Sequence, residues 1–122
     1  MAIPTRLMGS GFSAQQAVNA CGDVVDTITA AGTTNADATG LSAAINRVTT
    51  AAASTGVRLM APEAGSAVVV INSGANAVLV YPSTGASINA LTATTGGFSV
   101  AAGGRAMFVG TGSANWFAIL SA

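Results

Sequence analysis

Lysine and histidine are missing from this 122-residue chain, and charge of either sign is scarce: Arg6, Arg47, Arg58 and Arg105 balance Asp23, Asp26, Asp37 and Glu63 to a formal net charge of zero. Charged residues make up 7% of the sequence, against about 25% in an ordinary globular domain. Without histidine there is no Ser-His-Asp or Cys-His arrangement, and without lysine no amine nucleophile. A single cysteine, Cys21, supplies neither an internal disulfide nor a His/Cys metal site. It reads as a small buried or half-buried residue. The scattered arginines form no basic patch for nucleic acid or an anionic membrane. No run approaches the roughly 18 consecutive apolar residues of a membrane span. The first eleven residues lack the continuous apolar stretch of a secretory signal, so the sequence predicts a soluble chain made in the cytoplasm.

What is present is apolar and small. Hydrophobic residues are 51% of the chain and glycine occurs 15 times. This excludes disorder, which needs the opposite balance of few apolar residues and much charge. A chain of this length has room for one core and buries roughly two-thirds of its unfolded surface. With so little charge to oppose association, its exposed faces should have designated partners.

Residues 1–22 differ from the rest and read as an N-terminal arm, with 23–122 as the folded domain. Gly9-Ser10-Gly11 forms a joint. Ser13-Ala14-Gln15-Gln16 then matches a capping box opening a short helix to about Ala20, where Gly22 stops it. Beyond Val24 the texture is β, with Val, Ile and Thr runs punctuated by Gly, Asn, Ser and Pro. The expected strands are Val25–Ala30, Ile45–Ala51, Val57–Met60, Ala67–Ile71, Ala77–Tyr81, Gly97–Val100, Arg105–Val109 and Trp116–Leu120. Within Gly40–Ala53, Leu41, Ala44, Ile45 and Val48 also fall at helical spacing, but the β-branched Val48-Thr49-Thr50 favours a strand. Asn72 to Asn76 reads as a hairpin turn joining Ala67–Ile71 to Ala77–Tyr81. Eight short strands at close spacing predict an all-β, jelly-roll-like antiparallel β-sandwich carrying a short N-terminal arm and helix.

A solvated antiparallel sandwich alternates apolar and polar residues along each strand, because one face meets water. Ala67–Ile71, Ala77–Val80, Ala106–Val109 and Trp116–Leu120 do not alternate, so these strands present apolar groups on both faces. One face therefore needs a cover that the chain itself does not supply. The expectation is a homotrimer with Val68, Val70, Val78, Val80 and Trp116 at its interface. Trp116 and Phe117 must point to opposite sides, and the sequence does not say which looks outward.

The carboxylates offer little chemistry. Asp23 and Asp26, three apart, suggest an acid-base pair or an oxygen-ligand cation site, but their place at a strand start suits turn capping better. Asp37 reads as a loop residue and Glu63 as a turn residue after Pro62. Gly9-Ser10-Gly11 has neither a preceding strand nor a following Gly-Lys-Ser/Thr, so it is no phosphate loop. Phe98, Phe108, Trp116 and Phe117 have few cations nearby and read as packing residues rather than a base-stacking platform. No catalytic residue, metal, cofactor or small-molecule substrate is assigned.

The run Val70-Ile71-Asn72-Ser73-Gly74-Ala75-Asn76, then Val80-Tyr81-Pro82-Ser83-Thr84-Gly85-Ala86-Ser87-Ile88-Asn89, then Gly104-Arg105-Ala106-Met107-Phe108-Val109 and Trp116 resembles the β modules of small tailed-bacteriophage virion proteins, in particular capsid decoration (cement) proteins. The likeness covers about half the chain, Gly56 to Leu120, and rests on turn and strand signatures. It implies a trimer on the outer capsid surface, clamping the lattice of the major capsid protein, and no functional residue to carry over. Similar modules serve tail fibres and other virion appendages, which leaves open a receptor- or carbohydrate-binding role. The attachment element expected from the sequence is the arm, through Ile3, Arg6, Leu7, Met8 and Phe12; the alternative is an arm that wraps its own trimer.

Overall fold

The computed structural model describes Gly11, Ser13 and residues 22–120. Ten strands follow one another: β1 (Val24–Thr29), β2 (Thr39–Gly40), β3 (Ile45–Thr50), β4 (Gly56–Arg58), β5 (Ala67–Asn72), β6 (Val78–Tyr81), β7 (Ser87–Ile88), β8 (Phe98–Val100), β9 (Arg105–Gly110) and β10 (Asn115–Leu120). Among the described residues there is no helix. The helix expected from Ser13 to about Ala20 lies outside them, apart from Ser13 itself. All eight expected strands form, including Ile45–Thr50 in place of the helical alternative. The two-residue β2 and β7 are too short to leave any periodicity in the sequence.

The strands make a six-stranded sheet, β1-β3-β5-β9-β10-β7, and a four-stranded sheet, β2-β4-β6-β8. Their buried side chains merge in one core, where Val48, Val70, Phe108 and Trp116 of the large sheet meet Val57, Val78, Val80 and Val100 of the small one. Phe98 packs edge-on to Phe108, with ring centroids 5.6 Å apart. The molecule is thus all-β and sandwich-like.

The antiparallel expectation is corrected. Five of the eight ladders among the described residues are parallel, and antiparallel pairing is confined to β5-β9, β9-β10 and β6-β8. A jelly roll requires antiparallel neighbours throughout, and this connectivity does not supply them. From β1 to β6 the chain visits the two sheets alternately, so that β1, β3 and β5 stack in parallel on one side and β2, β4 and β6 on the other. Val24 lies opposite Ile45, and Ile45 opposite Val69. The first half of the domain is therefore a short solenoid with a coil of about twenty residues.

The expected hairpin between β5 and β6 is corrected for the same reason, since the two strands lie in different sheets. Asn72, 1% exposed, turns the chain across. Its Nδ2 donates to Asn76 O at 2.9 Å and to Val100 O at 3.0 Å, while its Oδ1 accepts from Gly74 N at 3.0 Å. The turn is laid on the corner of the preceding coil. Ser73 N donates to Val48 O at 2.8 Å and Asn76 Nδ2 to Ala51 O at 2.9 Å. A Cβ on Gly74 would fall 2.7 Å from Ala51 Cβ, so only glycine lets the two corners approach.

Candidate assembly interface

The two sheets differ in what covers their outer sides. On the small sheet, Arg58 and Tyr81 form one outward row, and Gly56, Leu79 and Ser99 the next. Tyr81 nevertheless is only 5% exposed, because its ring lies against two glycines. A Cβ on Gly56 would fall 2.7 Å from its Cε2, and one on Gly97 3.1 Å from its Cε1. Tyr81 Oη donates to Thr33 O at 2.9 Å, Arg58 Nη1 donates to Asn35 O at 2.8 Å, and Asn35 Nδ2 donates to Pro82 O. The loop from residue 31 to residue 38 is thereby drawn onto the small sheet as a partial roof.

Asp37 holds that roof in shape. Its Oδ1 accepts from Thr34 N and Thr34 Oγ1, both at 2.8 Å, and from Thr33 N at 3.1 Å. These bonds, the Thr34 amide first and the Thr34 hydroxyl next, hold its carboxyl below the usual aspartate value. A carboxyl lowered in the folded state stabilises the loop fully above its unfolded-state pKa, and this contribution disappears as pH falls through the folded value. Amide exchange at Thr33 and Thr34 is therefore expected to accelerate, relative to exchange in the core strands, only below the ordinary carboxylate range. An unchanged ratio down to the acid limit of folding would contradict this role.

The large sheet has no such roof among the described residues. The register sets Val24, Ile45, Val69, Met107 and Ile119 side by side across β1, β3, β5, β9 and β10. At the spacing of adjacent strands this apolar row spans roughly 19 Å. Ala67, Val109 and Phe117 form a second row beside it. On its other flank the sequence Arg47, Ile71, Arg105 forms a third row that brings charge to the margin. Arg47 Nη1 lies 3.4 Å from Asp26 Oδ1, an exposed pair of the kind worth at most about 1 kcal/mol. Val24, Met107, Phe117 and Ile119 are 56%, 37%, 47% and 58% exposed. A shallow trough of about 240 Å³ opens between Val69, Arg105, Ala106, Met107, Ile119 and Leu120.

This distribution corrects the interface residues expected from the sequence. Val68, Val70, Val78, Val80 and Trp116 are each at most 4% exposed and belong to the chain's own core. Trp116 points inward, with its Nε1 donating to Met60 O at 3.3 Å, and Phe117 is the neighbour that looks out. The outward apolar set is the alternate one, Val69, Met107, Val109, Phe117 and Ile119. A signal for it lay in the sequence: Arg105 shares its side of β9 with Met107 and Val109, and a charged residue marks the solvent side of a strand. β5 carries no such mark. Its one polar residue, Asn72, points inward and suggests the wrong face.

The remaining candidates are dispersed. Asp23 Oδ1 accepts from Ala44 N at 2.9 Å and fixes the approach to β3, whereas Asp26 pairs with Arg47. The two carboxylates thus serve different neighbours. Glu63 is exposed in the turn before β5, and its carbonyl accepts from Ser66 N at 3.1 Å. No group of three or more His, Cys, Asp or Glu side chains suited to a metal ion occurs among the described residues. Ile3, Arg6, Leu7, Met8 and Phe12 lie outside the described residues. Comparison with protein families, curated proteins and solved structures finds no match to this chain.

Proposed function

We propose that this chain is a non-enzymatic structural protein of a bacteriophage virion, a capsid decoration protein. It is made in the host cytoplasm and binds the outer capsid surface as a homotrimer, reinforcing the lattice of the major capsid protein. The observation that carries this reading is the apolar outer side of the six-stranded sheet on a chain nearly devoid of charge. A lattice-stabilising protein needs only to gain more free energy bound than free, which apolar and backbone contacts supply without any reaction. The likeness of the segment from Gly56 to Leu120 to phage decoration modules points to the same role.

Attachment to the lattice is assigned to the arm, through Ile3, Arg6, Leu7, Met8 and Phe12. Deleting residues 1–12 is expected to abolish binding to capsids that lack the protein while leaving the trimer intact; a dissociated trimer would instead make the arm part of the subunit interface. Because few charges are available, binding should persist in molar salt, where surface ion pairs are screened within about 3 Å. Release by salt alone, followed by co-sedimentation with capsids, would contradict an apolar attachment.

The exposed loop from Asn89 to Thr95 favours one second reading, a tail fibre or other appendage component that binds a receptor or carbohydrate. It presents polar side chains beside Leu91, with left-handed backbone at Asn89 (φ 52°) and Thr94 (φ 66°). Imaging of labelled virions separates the two readings by whether the label falls on the head or on the tail.

A further inference from the structure

We infer that the outer side of the six-stranded sheet is covered by a second copy of this chain, with the row Val69–Met107–Ile119 at the centre of the contact. This deepens the proposed function and rests on its self-association, but not on its attachment to a capsid. The area is the first argument. Val24, Met107, Phe117 and Ile119 keep between 37% and 58% of their surface exposed, and with their half-buried neighbours they form one contiguous apolar patch of the few-hundred-Å² size that marks an interaction surface. A standard-size interface takes roughly 800 Å² from each partner, and a patch of this kind supplies its apolar core.

Composition and charge argue for the same occupant. Met107 at the centre and Phe117 in the row beside it, with Arg47 and Arg105 displaced to the opposite flank, match the apolar core and polar rim of a protein contact. A lipid surface would be met by a broad basic rim, whereas here two arginines, Arg47 and Arg105, lie along a single flank and Arg47 is already paired with Asp26. A neutral chain does not repel its own copy, so nothing electrostatic opposes this contact. The small sheet is the poorer candidate because Tyr81 and the loop of residues 31–38 already occupy its outer side.

The test is the mass in solution of the full chain. At tens of micromolar the wild type is expected to sediment as a multiple of 11.7 kDa. Ile119→Glu should shift it to the single-chain mass with an unchanged far-ultraviolet spectrum, whereas Ser99→Glu on the small sheet should not. A wild type that is already monomeric would overturn this interface and the assembly role together. An oligomer insensitive to Ile119→Glu would overturn the interface alone. Oxidative footprinting of the wild type needs no variant: Met107 should be protected where the chain is oligomeric and become reactive on dilution to the monomer. Rapid oxidation of Met107 in the oligomer would overturn the inference, as would protection that persists in the monomer, which would assign the cover to residues 1–21.

Discussion

Replacing Trp116 with alanine is expected to destabilise the domain by about 4 kcal/mol, the cost of removing a fully buried large aromatic side chain that the surroundings cannot close over. Trp116 is 0% exposed, and its row joins β9, β10 and β7 through Gly110 and Ile88. Its truncation also leaves Met60 O without the indole donor. Against a total stability of about 5–15 kcal/mol this is a large fraction, and it corresponds to a fall of roughly 15 °C in the unfolding midpoint. Phe117→Ala, one residue along and 47% exposed, should change the stability of the dilute chain by less than about 1 kcal/mol. Thermal unfolding of the two variants, followed by circular dichroism at low concentration, decides the matter. Equal losses would mean that the inward and outward sides of β10 are not distinguished as described.

Asn72→Asp is expected to have a comparable effect by a different route. The substitution keeps the shape and the acceptor for Gly74 N, but it places a carboxylate oxygen against Asn76 O and Val100 O, where the amide had donated twice. An unpaired charge at a site 1% exposed costs on the order of 3–5 kcal/mol at neutral pH. The sign of the pH dependence follows. Burial and two facing carbonyls raise the introduced carboxyl's pKa in the folded state, so the variant is least impaired in acid and loses stability as pH rises through that value. Denaturant unfolding of wild type and variant between pH 3 and pH 8 checks this. A difference independent of pH would show that the side chain has turned out to solvent and that Asn72 does not hold the crossover.

Both results bear on assembly, because the outer side of the large sheet is only as well ordered as the strands that carry it. Val69 is fixed by β5, whose exit is held by Asn72. Met107 and Ile119 are fixed by β9 and β10, which Phe108 and Trp116 anchor to the core. A destabilised core would therefore loosen the apolar row as well, so its contribution to self-association is best read from Ile119→Glu, which leaves the interior untouched.

Composition and strand texture by themselves determined that the domain is all-β, where its longer strands run, and that several of them are apolar on both sides. These are properties of contiguous residues: β-branched runs prefer extended backbone, and alternation places neighbours on opposite faces. Pairing was decided only in the tertiary structure. A five-residue turn of Asn, Ser, Gly and Ala suits a hairpin or a crossover equally well, and the choice lay with contacts from Asn72 and Asn76 to Val100 and Ala51 across 28 and 25 residues of sequence. Which side stayed open was decided the same way. Tyr81 reaches Thr33 across 48 residues to help roof the small sheet, and no feature local to either segment encodes that meeting. Local chemistry sets what each strand can bury, and long-range packing chooses which of its two sides is left for a partner.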